Sequence, residues 1–226
     1  MKTLNKYYEP SYLYEILLRN EVKISQPELK RYAAGTVLPP QLKALHIIQA
    51  LRYEKVFSQV VRKKLKIDEN GVVNMAEMAY DEDVLTVAMA EAYLSFFRSV
   101  DVVLTAAVNG IPLATLLAWS LDAKLAVARR ERESQAIKYL SAQVFQADPP
   151  SIVYIYLPAN HIPKNSRVLI ADDLLRTGRT LKALLNLTSD ADAYPIGVFA
   201  LVSTSNAWRS VLSEEVRALV LLSIEQ

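Results

Sequence analysis

Asp172 and Asp173 stand side by side after the apolar run Val168 to Ala171, and two leucines later the chain reads Arg176, Thr177, Gly178, Arg179, Thr180. Adjacent carboxylates accept hydrogen bonds from vicinal hydroxyls such as those of a ribose. A short Thr/Gly loop that enters a helix offers backbone N–H groups and hydroxyls to a phosphate. The two together suit a sugar phosphate. Positioning them takes a strand and a helix. Val168 to Ala171 is a short continuous run of the kind buried on both faces of a parallel sheet. Its carboxyl end is where open α/β sheets place ligands. Leu181, Leu184 and Leu185 then follow helical spacing.

This stretch resembles the PRPP-binding signature of type I phosphoribosyltransferases: an apolar strand, two acids, two apolar residues, a small or acidic residue, then Thr-Gly-x-Thr. The resemblance covers roughly residues 80–226. It implies that Asp172, Asp173, Arg176, Thr177, Gly178, Arg179 and Thr180 hold the ribose and 5-phosphate of PRPP. It extends to DVVLTAAVNGIPLA, where the family's first strand and loop carry pyrophosphate on backbone amides, here Ala107, Val108, Asn109 and Gly110. Asn109 stands where the family often has glycine. A basic residue after the second strand often meets the pyrophosphate, which makes Arg129 and Arg130 candidates. Mg²⁺ accompanies PRPP in such sites. Two departures favour binding over turnover. Arg176 stands where 6-oxopurine members commonly have an aspartate that works on the purine ring nitrogen, and an arginine cannot act as that base. Arg179 stands where glycine is frequent.

Composition sets the outer bounds. The 226 residues suffice for two modules, since domains of about 100 to 150 residues are commonest. There is no cysteine, hence no disulfide framework and no thiolate nucleophile, and the two isolated histidines, His46 and His161, argue against a zinc site. No run reaches the roughly 18 apolar residues of a membrane span. The opening MKTLNKYYEP lacks a signal-peptide core. A cytoplasmic protein is expected. Residues 1–70 carry 13 Lys plus Arg against 7 Asp plus Glu, a net +6, while residues 71–226 carry 13 against 17, a net −4. A polyanion partner is thereby assigned to the amino-terminal part alone.

That part reads as helices. Tyr12, Leu13, Ile16 and Leu17 make an amphipathic pattern opened by Pro10 and a Ser11 cap. Ser25, Gln26, Pro27, Glu28 form a capping-box start, and the helix stops at Gly35. A long helix then spans Leu42 to Leu65, with His46 on its apolar side. Two short helices with a glycine stop and a following helix resemble the helix-turn-helix of the lambda-repressor and Cro type. The segment SQPELKRYAAG would be its recognition helix, with Ser25, Gln26, Lys30 and Arg31 reaching double-stranded DNA. A small all-helical cap or dimerisation domain is the competing reading. Asn70-Gly71 between two apolar pairs reads as a tight turn, and the domain boundary is set there, giving 1–67 and 68–226.

Further on, helix 81–100, strand 101–105, strand 124–128, strand 152–157, strand 196–202 and strand 218–224 alternate as expected for a parallel α/β sheet. Residues 131–150, polar and closing on Asp148, Pro149, Pro150, read as a mobile loop over the site. Trp208 reads as core packing or a lid. The fold class is α/β, a parallel-sheet type I phosphoribosyltransferase-like domain preceded by a small all-α helix-turn-helix domain. Two functions stay open. One is a homodimeric DNA-binding regulator that senses PRPP or a related phosphorylated nucleotide, in purine metabolism. The other is an active purine or pyrimidine phosphoribosyltransferase whose amino-terminal helices serve as hood or oligomer contact.

Overall fold

The computed structural model describes residues 1–147 and 149–224. In chain order its elements are α1 (Pro10–Arg19), α2 (Gln26–Ala34), α3 (Gln41–Tyr53), α4 (Val56–Lys64), α5 (Met75–Met78), α6 (Glu82–Phe96), β1 (Val102–Ala106), α7 (Gly110–Ser120) and β2 (Lys124–Ala128). They continue as β3 (Tyr139–Ala147), β4 (Pro150–Pro158), β5 (Arg167–Leu175), α8 (Arg179–Asp190), β6 (Tyr194–Ser203) and β7 (Arg217–Ser223). Short 3-10 turns stand at Leu4–Lys6, Ala159–His161 and Ala207–Val211.

Five strands form one parallel sheet in the order β2-β1-β5-β6-β7. Successive side chains on a strand point to opposite faces, so each strand feeds two cores. Val103, Leu169, Ala171, Phe199 and Leu201 join α6, α7 and the amino-terminal helices on one face. Val102, Leu104, Val168, Ile170, Val198 and Ala200 join α8 and the β3–β4 ribbon on the other. Burial on both faces explains why these strands are uninterrupted apolar runs.

The amino-terminal helices share the first core. Leu13, Leu17, Val60 and Val61 lie in the same apolar cluster as Val84, Leu121 and Leu221. α4 packs on α6 and β7, and α3 packs on α6. Polar contacts follow the same seam. Arg52 Nε lies 2.7 Å from Glu91 Oε1, Lys64 reaches Asp81 at 2.7 Å, and Asp83 receives Lys6 and the Tyr7 hydroxyl, each at 2.8 Å.

Several expectations change. The helix expected over Leu42 to Leu65 is two helices, broken at Glu54 and at Lys55, whose φ is 56°. The step of five from Leu51 to Val56 departs from helical spacing, and the break lets both halves bury their apolar sides. His46 is exposed, since α3 turns Ile47, Ala50 and Leu51 inward. Glu9, not Ser11, precedes the first helical residue of α1. The stretch expected as a loop over 131–150 contains β3, which pairs antiparallel with β4 from Tyr139↔Pro158 to Ala147↔Pro150 in a sheet of its own. Asp148 lies outside the described residues. The turn at 70–71 is found, with Gly71 at φ 77° and an antiparallel bridge from Ile67 to Val73. Among the described residues no helix is long and apolar enough to cross a membrane.

Candidate functional site

The order of strands reverses between β1 and β5: β1 leads outward to β2, and β5 leads to β6 and β7. Ligands of open parallel sheets bind at such a point, beside the carboxyl ends of the strands. A cleft of about 1210 Å³ opens there. Its walls are the loop from Ala106 to Ile111 after β1, Arg129, Arg130, Glu131 and Glu133 after β2, Asp172, Asp173 and Leu174 on β5, Thr180 on α8, and Val73 to Ala76 before α6.

β5 extends through Leu175, so the acid pair sits within the strand rather than beyond it. Asp172 is 8% exposed, and its Oδ1 accepts the Asp173 N–H at 3.0 Å. Burial first, and the Asp173 carboxylate next to it second, push the Asp172 carboxyl well above the ordinary aspartate range. The half-buried Asp173 faces the cleft. One acid is thus held in a poorly hydrated place and the other meets solvent in the cleft.

Opposite them, the loop after β1 includes a cis Ala107–Val108 peptide and enters α7 at Gly110. A methyl group on Gly110 would overlap the Thr105 hydroxyl and lie 3.6 Å from Asp172 Oδ1. The residue is a glycine because its backbone passes too close to the Thr105 hydroxyl to leave room for a Cβ.

The Thr/Gly loop is braced from the carboxyl-terminal side. Gly178 has φ 78°, and a Cβ there would come within 2.9 Å of Trp208 Cα. The Thr204 N–H donates to the Leu175 carbonyl at 3.0 Å, and the Ser205 hydroxyl donates to the Arg176 carbonyl at 2.7 Å. Trp208 is fully buried, which makes it core packing and not a lid.

The structure therefore brings Ala107, Val108, Asn109, Gly110, Arg129, Arg130, Asp172, Asp173 and Thr180 to one cleft. Arg176, Thr177, Gly178 and Arg179 adjoin it in sequence without lining it. Arg176 and Thr177 are exposed, while the Arg179 guanidinium lies 5.5 Å over the Phe145 ring of β3. Arg129 pairs with Glu133 at the rim. Sequence reasoning missed Val73 to Ala76, Glu131, Glu133, Ser205 and the bracing role of Trp208. The first three enter through tertiary placement, and only the closeness of Ser205 and Trp208 to the end of β6 gave a signal.

On the amino-terminal helices, Ser25 caps α2: its hydroxyl accepts the Glu28 N–H at 3.3 Å and the Glu28 carboxylate accepts the Ser25 N–H at 3.4 Å. Lys43, 2.7 Å away, and the Tyr32 hydroxyl hold the Glu28 carboxyl down to about 2. Gly35 ends the helix at φ 74°. Ser25, Gln26, Lys30 and Arg31 are all exposed.

A model of the phosphoribosyl transferase domain matches residues 77–219. The purine biosynthesis transcriptional repressor PurR of Bacillus subtilis is 25% identical over 194 residues, 85% of this chain and 67% of that protein. A xanthine phosphoribosyltransferase of Lactobacillus delbrueckii is 28% identical over 121 residues, 52% of this chain and 64% of that enzyme. This chain thus spans about two thirds of the length of these two relatives. The crystal structure of adenine phosphoribosyltransferase from Rhodothermus marinus superposes with a TM-score of 0.65 at 19% identity, over 75% of this chain and 99% of that one, a likeness of fold. The matched domain takes up more than half of the sequence and contains the acid pair, the Thr/Gly loop and the loop after β1, and the chain belongs to the phosphoribosyl transferase domain family.

Proposed function

We propose that this protein is a DNA-binding transcriptional regulator of purine-related metabolism, whose family cleft senses PRPP or a related phosphorylated nucleotide. Residues 1–67 form the DNA-reading module and 68–226 the effector module. The protein acts in the cytoplasm as a homodimer, since paired heads read two half-sites. The observation that carries this reading is that α2, capped and exposing Gln26, Lys30 and Arg31, is set on the same apolar core that supports the cleft. A helix that offers polar and basic side chains to solvent on a net basic module is suited to phosphates and base edges. The similarity to the Bacillus subtilis repressor over 85% of this chain supports the same reading.

In the cleft, Asp173 and the buried Asp172 would take the ribose hydroxyls, the loop from Ala107 to Gly110 with Arg129 or Arg130 the pyrophosphate, and the segment from Arg176 to Thr180 the 5-phosphate. The oxygen donors of the acid pair suit Mg²⁺. Among the described residues no three His, Cys, Asp or Glu side chains gather to hold a metal, so the ion would depend on the ligand's own oxygens. When bound it would screen the phosphate charge.

The test is binding of the full-length protein to its own promoter fragment, titrated with PRPP and Mg²⁺ at fixed salt. Specific, salt-dependent binding that PRPP changes and that Lys30→Ala plus Arg31→Ala removes is expected. Binding no better than to a random duplex, with and without PRPP, overturns the regulator. One observation favours a second reading, an active phosphoribosyltransferase: the acid pair and the loop after β1 meet in one open cleft. That enzyme would release pyrophosphate from PRPP with a common nucleobase and lose this on Asp172→Asn plus Asp173→Asn.

A further inference from the structure

The cleft wall contributed by Val73 to Ala76 is also the chain that joins the amino-terminal helices to the α/β body. Upstream it is one arm of a small hairpin. The Asn74 N–H donates to the Lys66 carbonyl and the Asp68 N–H to the Val72 carbonyl, each at 2.9 Å, and Asp68 Oδ1 accepts the N–H groups of Asn70 and Val72. The hairpin begins where α4 ends, and Lys66 pairs with Glu77 across its base. Downstream the same chain reaches Asp81 and Asp83, which hold Lys64, Lys6 and Tyr7 of the amino-terminal part.

The segment has two sides. Val73 and Met75 are buried in the core shared with α1 and α4, whereas Asn74 and Ala76 are exposed at the cleft. Asn74 Oδ1 is engaged by the Ala76 N–H at 3.1 Å, which leaves the side-chain amide to donate toward the cleft.

We propose that Val73 to Ala76 is a ligand-contacting strap: a phosphorylated ligand in the cleft binds against Asn74 and Ala76, and the hairpin carries that contact to the DNA-reading helices. The proposal rests on the regulator reading above. Its physical content is that the two occupancy states differ in how the strap seats Val73 and Met75 under α4, since a ligand shifts an equilibrium only through contacts that differ between states. Coupling of this kind is reciprocal, so promoter DNA changes PRPP affinity by the same factor by which PRPP changes DNA affinity.

Hydrogen exchange of the full-length protein, with and without PRPP and Mg²⁺, tests it. Peptides spanning 106–110 and 172–180 report occupancy of the cleft, and peptides spanning 66–78 report the strap. Slowed exchange in both sets is expected. Slowing in the first set alone overturns the strap and leaves PRPP binding standing; no change in either set overturns the effector reading and the strap together. Asn74→Asp is the second probe, because it keeps an oxygen for the Ala76 N–H but turns a carboxylate toward an anionic ligand. PRPP affinity should fall on the order of tenfold, and Asn74→Ser should bind PRPP more tightly than Asn74→Asp. Equal PRPP affinity in Asn74→Asp and the parent overturns the contact.

Discussion

A carboxyl group buried beside another carboxylate costs folding stability at neutral pH, and Asp172 is such a group. Its pKa is raised in the folded chain. Below about pH 4 the group is protonated both folded and unfolded, so it has no effect on stability. As pH rises past that value the unfolded chain gives up the proton while the folded chain keeps it, and the native state loses ground. Asp172→Asn keeps Oδ1 for the Asp173 N–H and removes the ionisable group. The variant should melt higher than the parent at pH 7, with the gain shrinking toward pH 4, and should no longer bind PRPP. A melting point below the parent's at pH 7 would mean that the ionised form is the one the fold stabilises. A carboxyl group kept at a cost to the fold is a candidate for a ligand contact.

At the scale of elements, α2 depends on its first turn. The Ser25 hydroxyl satisfies one backbone donor of that turn and the Glu28 carboxylate returns the bond, so Ser25→Ala should cost about 1 kcal/mol in urea unfolding. Ser25→Thr should keep most of it, and equal loss in both would assign the effect to something other than the cap. This capping box, the Gly35 stop, the turn at Gly71 and the strands of the parallel sheet were legible because each rests on local rules of spacing and backbone freedom. So was part of the cleft, since the acid pair and Thr180 lie within nine residues of one another in a recognisable order. β3 was not: Ser141, Gln143 and Gln146 interrupt its apolar positions, as a half-exposed ribbon permits, and it pairs antiparallel with β4 in a sheet apart from the parallel one. The strap was not either. Nothing in Val73-Asn74-Met75-Ala76 marks it as a cleft wall, because its place is set by the core that takes Val73 and Met75.

Over the whole molecule, the apolar cluster does not pause between the amino-terminal helices and the α/β body, so the two parts are expected to unfold together. Arg52 and Glu91 lie on that seam. Burial raises the Glu91 carboxyl above its ordinary range, against the pull of Arg52 and Arg217. Arg52→Ala removes the 2.7 Å partner and also the bond from Arg52 to the Ser95 hydroxyl at 3.0 Å. Because the Arg52 side chain is 34% exposed, solvent screens part of the pair. The loss should therefore be on the order of 1–2 kcal/mol, less than for a fully buried pair. In scanning calorimetry the parent should unfold in a single transition, and Arg52→Ala should lower its midpoint by about 2–8 °C without dividing it. Two separate transitions in the parent would show that the helices and the body fold independently, and a strap through which a ligand in the cleft repositions the DNA-reading face would then have no rigid seam to act against.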